Sequence, residues 1–143
     1  MFVDRPVTVL DRGGRFLVWS MRRWSSVVCE DRCPGPALAP AFARWRMIGG
    51  LQPFVRLMIA LQRDAMRPLR FCALPCNRIS EDEAIMLSLM VAAQTERRVT
   101  VSETLALLVA EDNLGDALGA VFAIAGALGD AELAPGYPQA GEP

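Results

Sequence analysis

The chain has no histidine and no lysine, and only one tyrosine, in 143 residues. Without imidazole, Ser-His-Asp and Cys-His nucleophilic arrangements cannot be built, and metal sites that depend on histidine are excluded. Long apolar runs are also missing. The late uncharged run from Ala117 to Gly129 is thirteen residues, short of the roughly 18 that a membrane-spanning helix requires. Asp4, Arg5, Asp11 and Arg12 interrupt the place where a signal peptide needs its apolar stretch, so a cytoplasmic location is expected. Gly13-Gly14 and Gly49-Gly50 lack the spacing and the strand-to-helix setting of a phosphate or dinucleotide loop. No enzyme is expected from these residues.

What is present is a single-domain length with 52% apolar residues, enough for a core without help from metal or disulfides. All fifteen basic residues are arginines, a usage that fits a GC-rich bacterial genome. They are unevenly placed: residues 1–79 carry thirteen arginines against five acids, and residues 80–143 carry two against eleven. Such asymmetry favours contact between the two halves, within one chain or between copies. The arginines recur among apolar residues at helical spacing and read as solvated helix faces, with DNA or RNA binding by the arginine-rich half as a minor alternative.

Periodicity predicts an all-α fold: a single compact bundle of about five helices over residues 1–129, followed by a disordered acidic Pro/Gly tail, 130–143. Gly13 and Gly14 read as a breaker. Beyond them Leu17, Met21, Trp24 and Val28 fall on one helix face, the alternative being a short N-terminal β-hairpin across the "DRGG" turn. "CPGPALAPAF" reads as a proline-rich linker, and "AFARWRMI" as a short helix closed by Gly49 and Gly50. Pro53 suits a first helical turn and opens a helix with Phe54, Leu57, Met58, Leu61 and Ala65 on one side, ending at Arg67-Pro68. Ser80 with Glu83 forms a capping box, opening a helix whose buried stripe is Ile85, Met86, Leu89, Met90 and Ala93. Thr100 with Glu103 and Asn113 with Asp116 predict two more starts. Gly115, Gly119, Ala123 and Gly126 put small residues along the last helix, for close packing within the chain or a homodimer contact.

The chemistry-bearing residues are four cysteines in two pairs of equal spacing, Cys29 with Cys33 and Cys72 with Cys76. Both pairs are read as lying in loops at one end of a bundle, where four thiolates and no histidine match a structural zinc site. A reducing compartment keeps thiols available for such a site. An iron–sulfur cluster would use the same four sulfurs, although its ligand runs are usually closer. The alternatives are a redox-responsive thiol protein and a purely structural helical module in which the thiols are buried apolar groups. Arg32, Arg70 and Arg78 flank the pairs and favour thiolates.

The block "QPFVRLMIALQRDAMRPLRFCALPCNRISEDEAIMLSLMVAAQ", residues 52–94, carries an arginine- and methionine-containing helix, "RP", a cysteine loop and a helix opened by serine and acids. In this it resembles small uncharacterised bacterial proteins of a domain-of-unknown-function type, a resemblance that implies no activity. The expectation is therefore a cytoplasmic helical protein whose Cys29, Cys33, Cys72 and Cys76 bind zinc and which acts as a regulatory or accessory factor through a protein partner or a homodimer.

Overall fold

Asp11 begins the first helix by accepting the amide of Gly14 on its carboxylate at 2.8 Å, which satisfies one of the donors every helix start leaves free. The computed structural model describes residues 2–63 and 69–137. Among them are a short 3₁₀ turn at Val7–Val9 and six α-helices: α1 Arg12–Cys29, α2 Pro34–Arg44, α3 Ile48–Arg63, α4 Glu81–Gln94, α5 Arg98–Ala106 and α6 Glu111–Asp130. The fold is all-α, with no strand among the described residues. The expected helix after Gly14 is present, and Gly13 and Gly14 lie inside its first turn rather than breaking it. In place of a hairpin, the N-terminal segment makes one isolated antiparallel bridge, Pro6 to Arg78.

The core forms because each long helix offers an apolar stripe. Phe54, Leu57, Met58 and Leu61 of α3 are all buried, as are Met86, Leu89, Met90 and Ala93 of α4, as their spacing predicts, whereas Ile85 is only half-buried and Ala65 lies outside the described residues. The most extensive helix contact joins α3 to α6, which also packs on α4 and α5, while α1 lies against α2 and α4. A run of rings ties the first three helices together. Phe16 is 4.9 Å from Phe42, Phe42 is 5.5 Å from Phe54, and Trp24 meets Phe54 edge-on at 6.3 Å. The tilted and edge-on arrangements are those the ring quadrupole favours.

Two boundaries differ from expectation for identifiable reasons. The stretch read as a linker is α2, with Pro34 at its first position. Pro34 and Pro36 sit where an amide hydrogen would have no intrahelical partner, and Leu38 and Phe42 provide its buried side. Gly49 and Gly50 do not close a helix. They lie in the first turn of α3, which places Pro53 in its interior. Gly50 has a packing role there: a Cβ on it would come within 2.9 Å of the Met47 side chain and 3.1 Å of Ala127 of α6. The end of α3 expected at residues 64–68 lies outside the described residues.

Helix ends are made without glycine. Asp31, Arg46, Glu96 and Glu132 follow α1, α2, α4 and α6 with φ near 57°, 61°, 56° and 60°. In each case the next amide reaches back into the helix, as with Met47 to Phe42 O at 2.6 Å and Leu133 to Leu128 O at 2.7 Å. These are Schellman closures built on residues that carry a Cβ penalty in the left-handed region. Replacing exposed Glu96 by glycine is expected to raise stability by about 0.5–1 kcal/mol, measured by chemical denaturation. Of the tail expected to be disordered, residues 131–137 lie against the domain. Leu133 is buried, the Gly136 amide donates to Asp11 at 2.9 Å, and Tyr137 packs on Phe2 at 4.9 Å.

The other two capping expectations are displaced. α5 begins at Arg98 and α6 at Glu111, ahead of Thr100 and Asn113. Gly115, Gly119 and Gly126 have open space where a Cβ would be, so they do not serve close packing within the chain.

Candidate functional site

The segment between α3 and α4 carries Cys72 and Cys76, and its path is set by one buried ion pair. Arg22, in the middle of α1, is 3% exposed, and Glu83, in the first turn of α4, is 0% exposed. Their side chains meet in a two-bond fork, Nε to Oε2 at 2.8 Å and Nη2 to Oε1 at 3.0 Å, the geometry a guanidinium and a carboxylate share best. The sequence reading of the arginines as solvated faces fails at this residue. Arg22 spends its remaining donors on the cysteine loop, giving Nη1 to Cys76 O at 2.5 Å and, more distantly, Leu74 O at 3.4 Å, and Nη2 to Arg78 O at 2.7 Å.

Glu83 completes the clamp from the other side. It accepts the Ser80 amide at 2.9 Å while Ser80 Oγ accepts the Glu83 amide at 3.2 Å, the expected capping box. The same carboxylate also accepts the Cys72 amide at 3.0 Å. Further along, the Arg70 amide donates to Asp82 at 2.6 Å and Ser80 Oγ donates to Arg70 O at 3.2 Å. The N-terminal segment holds the outer edge, with Val7 N to Asn77 O at 3.0 Å, Ile79 N to Arg5 O at 3.0 Å and Asp4 N to Ile79 O at 2.9 Å. Much of the backbone of this irregular loop is thus held by side chains and by the N-terminal segment.

Inside that frame the chain turns back at Ala73–Cys76, closed by the Cys76 amide on Ala73 O at 3.1 Å. The turn brings the two thiols near each other, close enough that each affects the other's acidity. Their surroundings push them apart in acidity. The backbone of Arg78, then the Cys72 thiol, hold Cys76 below the ordinary thiol range, and the Arg22 charge adds to this. Burial, then the Glu83 carboxylate, raise Cys72. Burial alone would raise Glu83, but the Arg22 guanidinium and the Ser80 and Cys72 amides together bring it below the ordinary carboxylate range. Arg22 is raised by its bond to Glu83 against the opposing effect of burial.

A cavity of about 360 Å³ opens beside Cys76, walled by Val7, Val18, Trp19, Leu74 and Pro75. One sulfur biased towards thiolate, a neighbouring thiol and space for a small molecule are the parts dithiol exchange uses.

The other pair is placed differently. Cys29 is the last residue of α1 and Cys33 is the N-cap of α2, both exposed, so this pair brackets a helix-to-helix connection. Among the described residues, which include all four cysteines, no three cysteine, aspartate or glutamate side chains gather in a group that could hold a metal ion. The four-sulfur set expected for zinc or an iron–sulfur cluster at Cys29, Cys33, Cys72 and Cys76 is not assembled in this arrangement. No helix among the described residues is long and apolar enough to cross a membrane.

Sequence reasoning missed Arg22, and one signal for it was available. Arg22 follows Val18 by four positions and adjoins Met21 on the buried stripe of α1. An arginine on an apolar stripe needs a buried anion. No protein-family model, curated protein or solved structure matches the chain.

Proposed function

We propose that the protein is a redox-responsive thiol protein in which Cys72 and Cys76 interconvert between dithiol and disulfide. The observation that carries this reading is the turn at Ala73–Cys76 that sets the Cys72 and Cys76 thiols near each other, in a loop whose backbone is clamped by Arg22 and Glu83. The oxidant is a low-molecular-weight disulfide, RSSR. The Cys76 thiolate attacks one of its sulfurs, forms the mixed disulfide Cys76–S–S–R and releases RS⁻. Cys72 then loses its proton, attacks Cys76 Sγ and expels the second RS⁻. Two electrons pass from the protein to the oxidant, and the protons of the two thiols end on two molecules of RSH.

A reducing cytoplasmic setting belongs to the same proposal, because it returns the pair to the dithiol. Closing the disulfide would pull on the Cys76 carbonyl that Arg22 holds, so the readout is a change in the 69–80 loop and its docking on the N-terminal segment. The exposed pair Cys29 and Cys33 takes no part.

Two measurements test the roles. Alkylation of the reduced protein followed by peptide mapping should show Cys76 reacting ahead of Cys72, with its rate reaching a plateau at lower pH than an ordinary thiol. With Cys72→Ser, oxidised glutathione should leave a stable mixed disulfide on Cys76. With Cys76→Ser, Cys72 should remain largely unmodified under the same conditions. Equal reactivity of the two thiols in the folded chain would remove the assignment.

A further inference from the structure

On the other side of Trp19 the α1–α2 face carries a second built feature, independent of the thiol reading. Two adjoining cavities share Arg44 and Trp45. One, of about 460 Å³, is lined by Phe16, Trp19, Ala41 and Trp45 with Arg15 and Arg44 at its rim. The other, of about 590 Å³, is lined by Arg12, Arg44, Trp45, Arg46, Ala131 and Glu132. Each volume lies within the usual range of small-molecule sites.

The two compartments differ in chemistry. The first is an aromatic slot in which Trp19 and Trp45 are partly exposed, and Phe16 backs the Trp45 ring at 5.5 Å. No carboxylate lines it. The second sets three exposed arginines against one carboxylate, Glu132. Among the described residues Arg12, Arg44 and Arg46 enter no ion pair. The Arg12 guanidinium lies 5.4 Å from the Trp45 ring centre, at the border of the two compartments. A flat ring with an attached polyanion is the shape and charge that such a pair of compartments complements: indoles stack on the ring, and guanidinium forks take phosphate oxygens two at a time.

We propose that this double cleft binds a free nucleotide, its base in the Trp19–Trp45 slot and its phosphates among Arg12, Arg44 and Arg46. Residues 131 and 132 form part of the phosphate side, so the docked C-terminal segment completes the site. Arg15 and Trp19 also line the cavity beside Cys76, which puts the base end of the ligand next to the thiol loop.

The test is isothermal titration calorimetry of the reduced full-length chain at low ionic strength, with ADP as probe and adenosine, inorganic phosphate and a short single-stranded oligonucleotide as comparisons. ADP should bind with one-to-one stoichiometry, and adenosine and phosphate each at least about tenfold more weakly. Arg44→Gln, at an exposed position, should weaken ADP by about tenfold or more while thermal unfolding is unchanged. Trp45→Phe should retain part of the affinity and Trp45→Ala lose it. Absence of saturable ADP binding, ADP affinity indifferent to Arg44→Gln, or tighter binding of the oligonucleotide than of ADP would each overturn the proposal, the last by marking a strand-tracking surface.

Discussion

Replacing Arg22 by methionine is expected to lower the stability of the folded chain by about 3–5 kcal/mol, a large share of the 5–15 kcal/mol that holds a typical domain together. The reason is what remains after the change. Glu83 is fully buried and would lose its counter-charge to an apolar side chain, and the Cys76 and Arg78 carbonyls would lose their donor. Glu83→Gln should be costly too, because its amide nitrogen would face donors from Arg22, Ser80 or Cys72. The double variant Arg22→Met with Glu83→Gln should be less destabilised than the two single losses added together, since it leaves no unpaired charge. Urea denaturation followed by circular dichroism measures all four species.

The same pair fixes the acid response. Glu83 is held below its unfolded value, so its contribution to stability is complete above the ordinary carboxylate pKa of about 4.3 and fades as pH falls through the lower, folded value. Wild-type stability should therefore drop on acidification below about pH 4, and Glu83→Gln should flatten that part of the curve. Arg22→Met should also return Cys76 towards ordinary thiol acidity, because the Arg22 charge and the clamped loop both favour its thiolate.

Gly13→Ala is the second large effect, and its sign runs against helix propensity. An alanine in a helix is ordinarily better than glycine by about 1 kcal/mol. At Gly13, however, a Cβ would lie 1.8 Å from the Leu133 carbonyl oxygen and 2.7 Å from its carbon. These are backbone atoms, so no rotamer change relieves the contact, and the segment that carries Leu133 must lift away. Leu133 is 2% exposed, and losing most of its burial costs about 1.5–3 kcal/mol. The Gly136–Asp11 hydrogen bond and the Phe2–Tyr137 ring contact would go with it. Gly115→Ala and Gly119→Ala serve as controls of opposite sign, since both positions are open and each should gain up to about 1 kcal/mol. Thermal unfolding of the three variants decides the matter.

How much could be read beforehand varied with the physics involved. The α4 start was legible because a capping box is local: serine, acid and spacing lie within four residues, and the structure realises both of its bonds. The buried stripes of α1, α3 and α4 followed from periodicity for the same reason. Helix α2 was hidden because prolines in a first turn resemble those of a linker, and only tertiary burial of Leu38 and Phe42 distinguishes them. The closures at Asp31, Arg46, Glu96 and Glu132 carry no glycine, so the usual stop signal was missing. At the candidate site, Glu83 was recognised as a cap but not as the partner of a residue 61 positions earlier. The equal spacing of the two cysteine pairs suggested a shared site, but spacing along the chain does not bring loops together: the first pair brackets the α1–α2 connection, and the second is tied down by Arg22 and Glu83.

The central claim, that Cys72 and Cys76 form a reversible dithiol–disulfide couple, is tested most directly by equilibrating the full-length protein in glutathione buffers of graded poise, quenching with acid and mapping disulfides by mass spectrometry. The account predicts a single two-electron transition confined to the peptide that carries Cys72 and Cys76, superimposable in the oxidising and reducing directions. Thiols that stay reduced across the whole range, or a disulfide that forms only between Cys29 and Cys33, would contradict it.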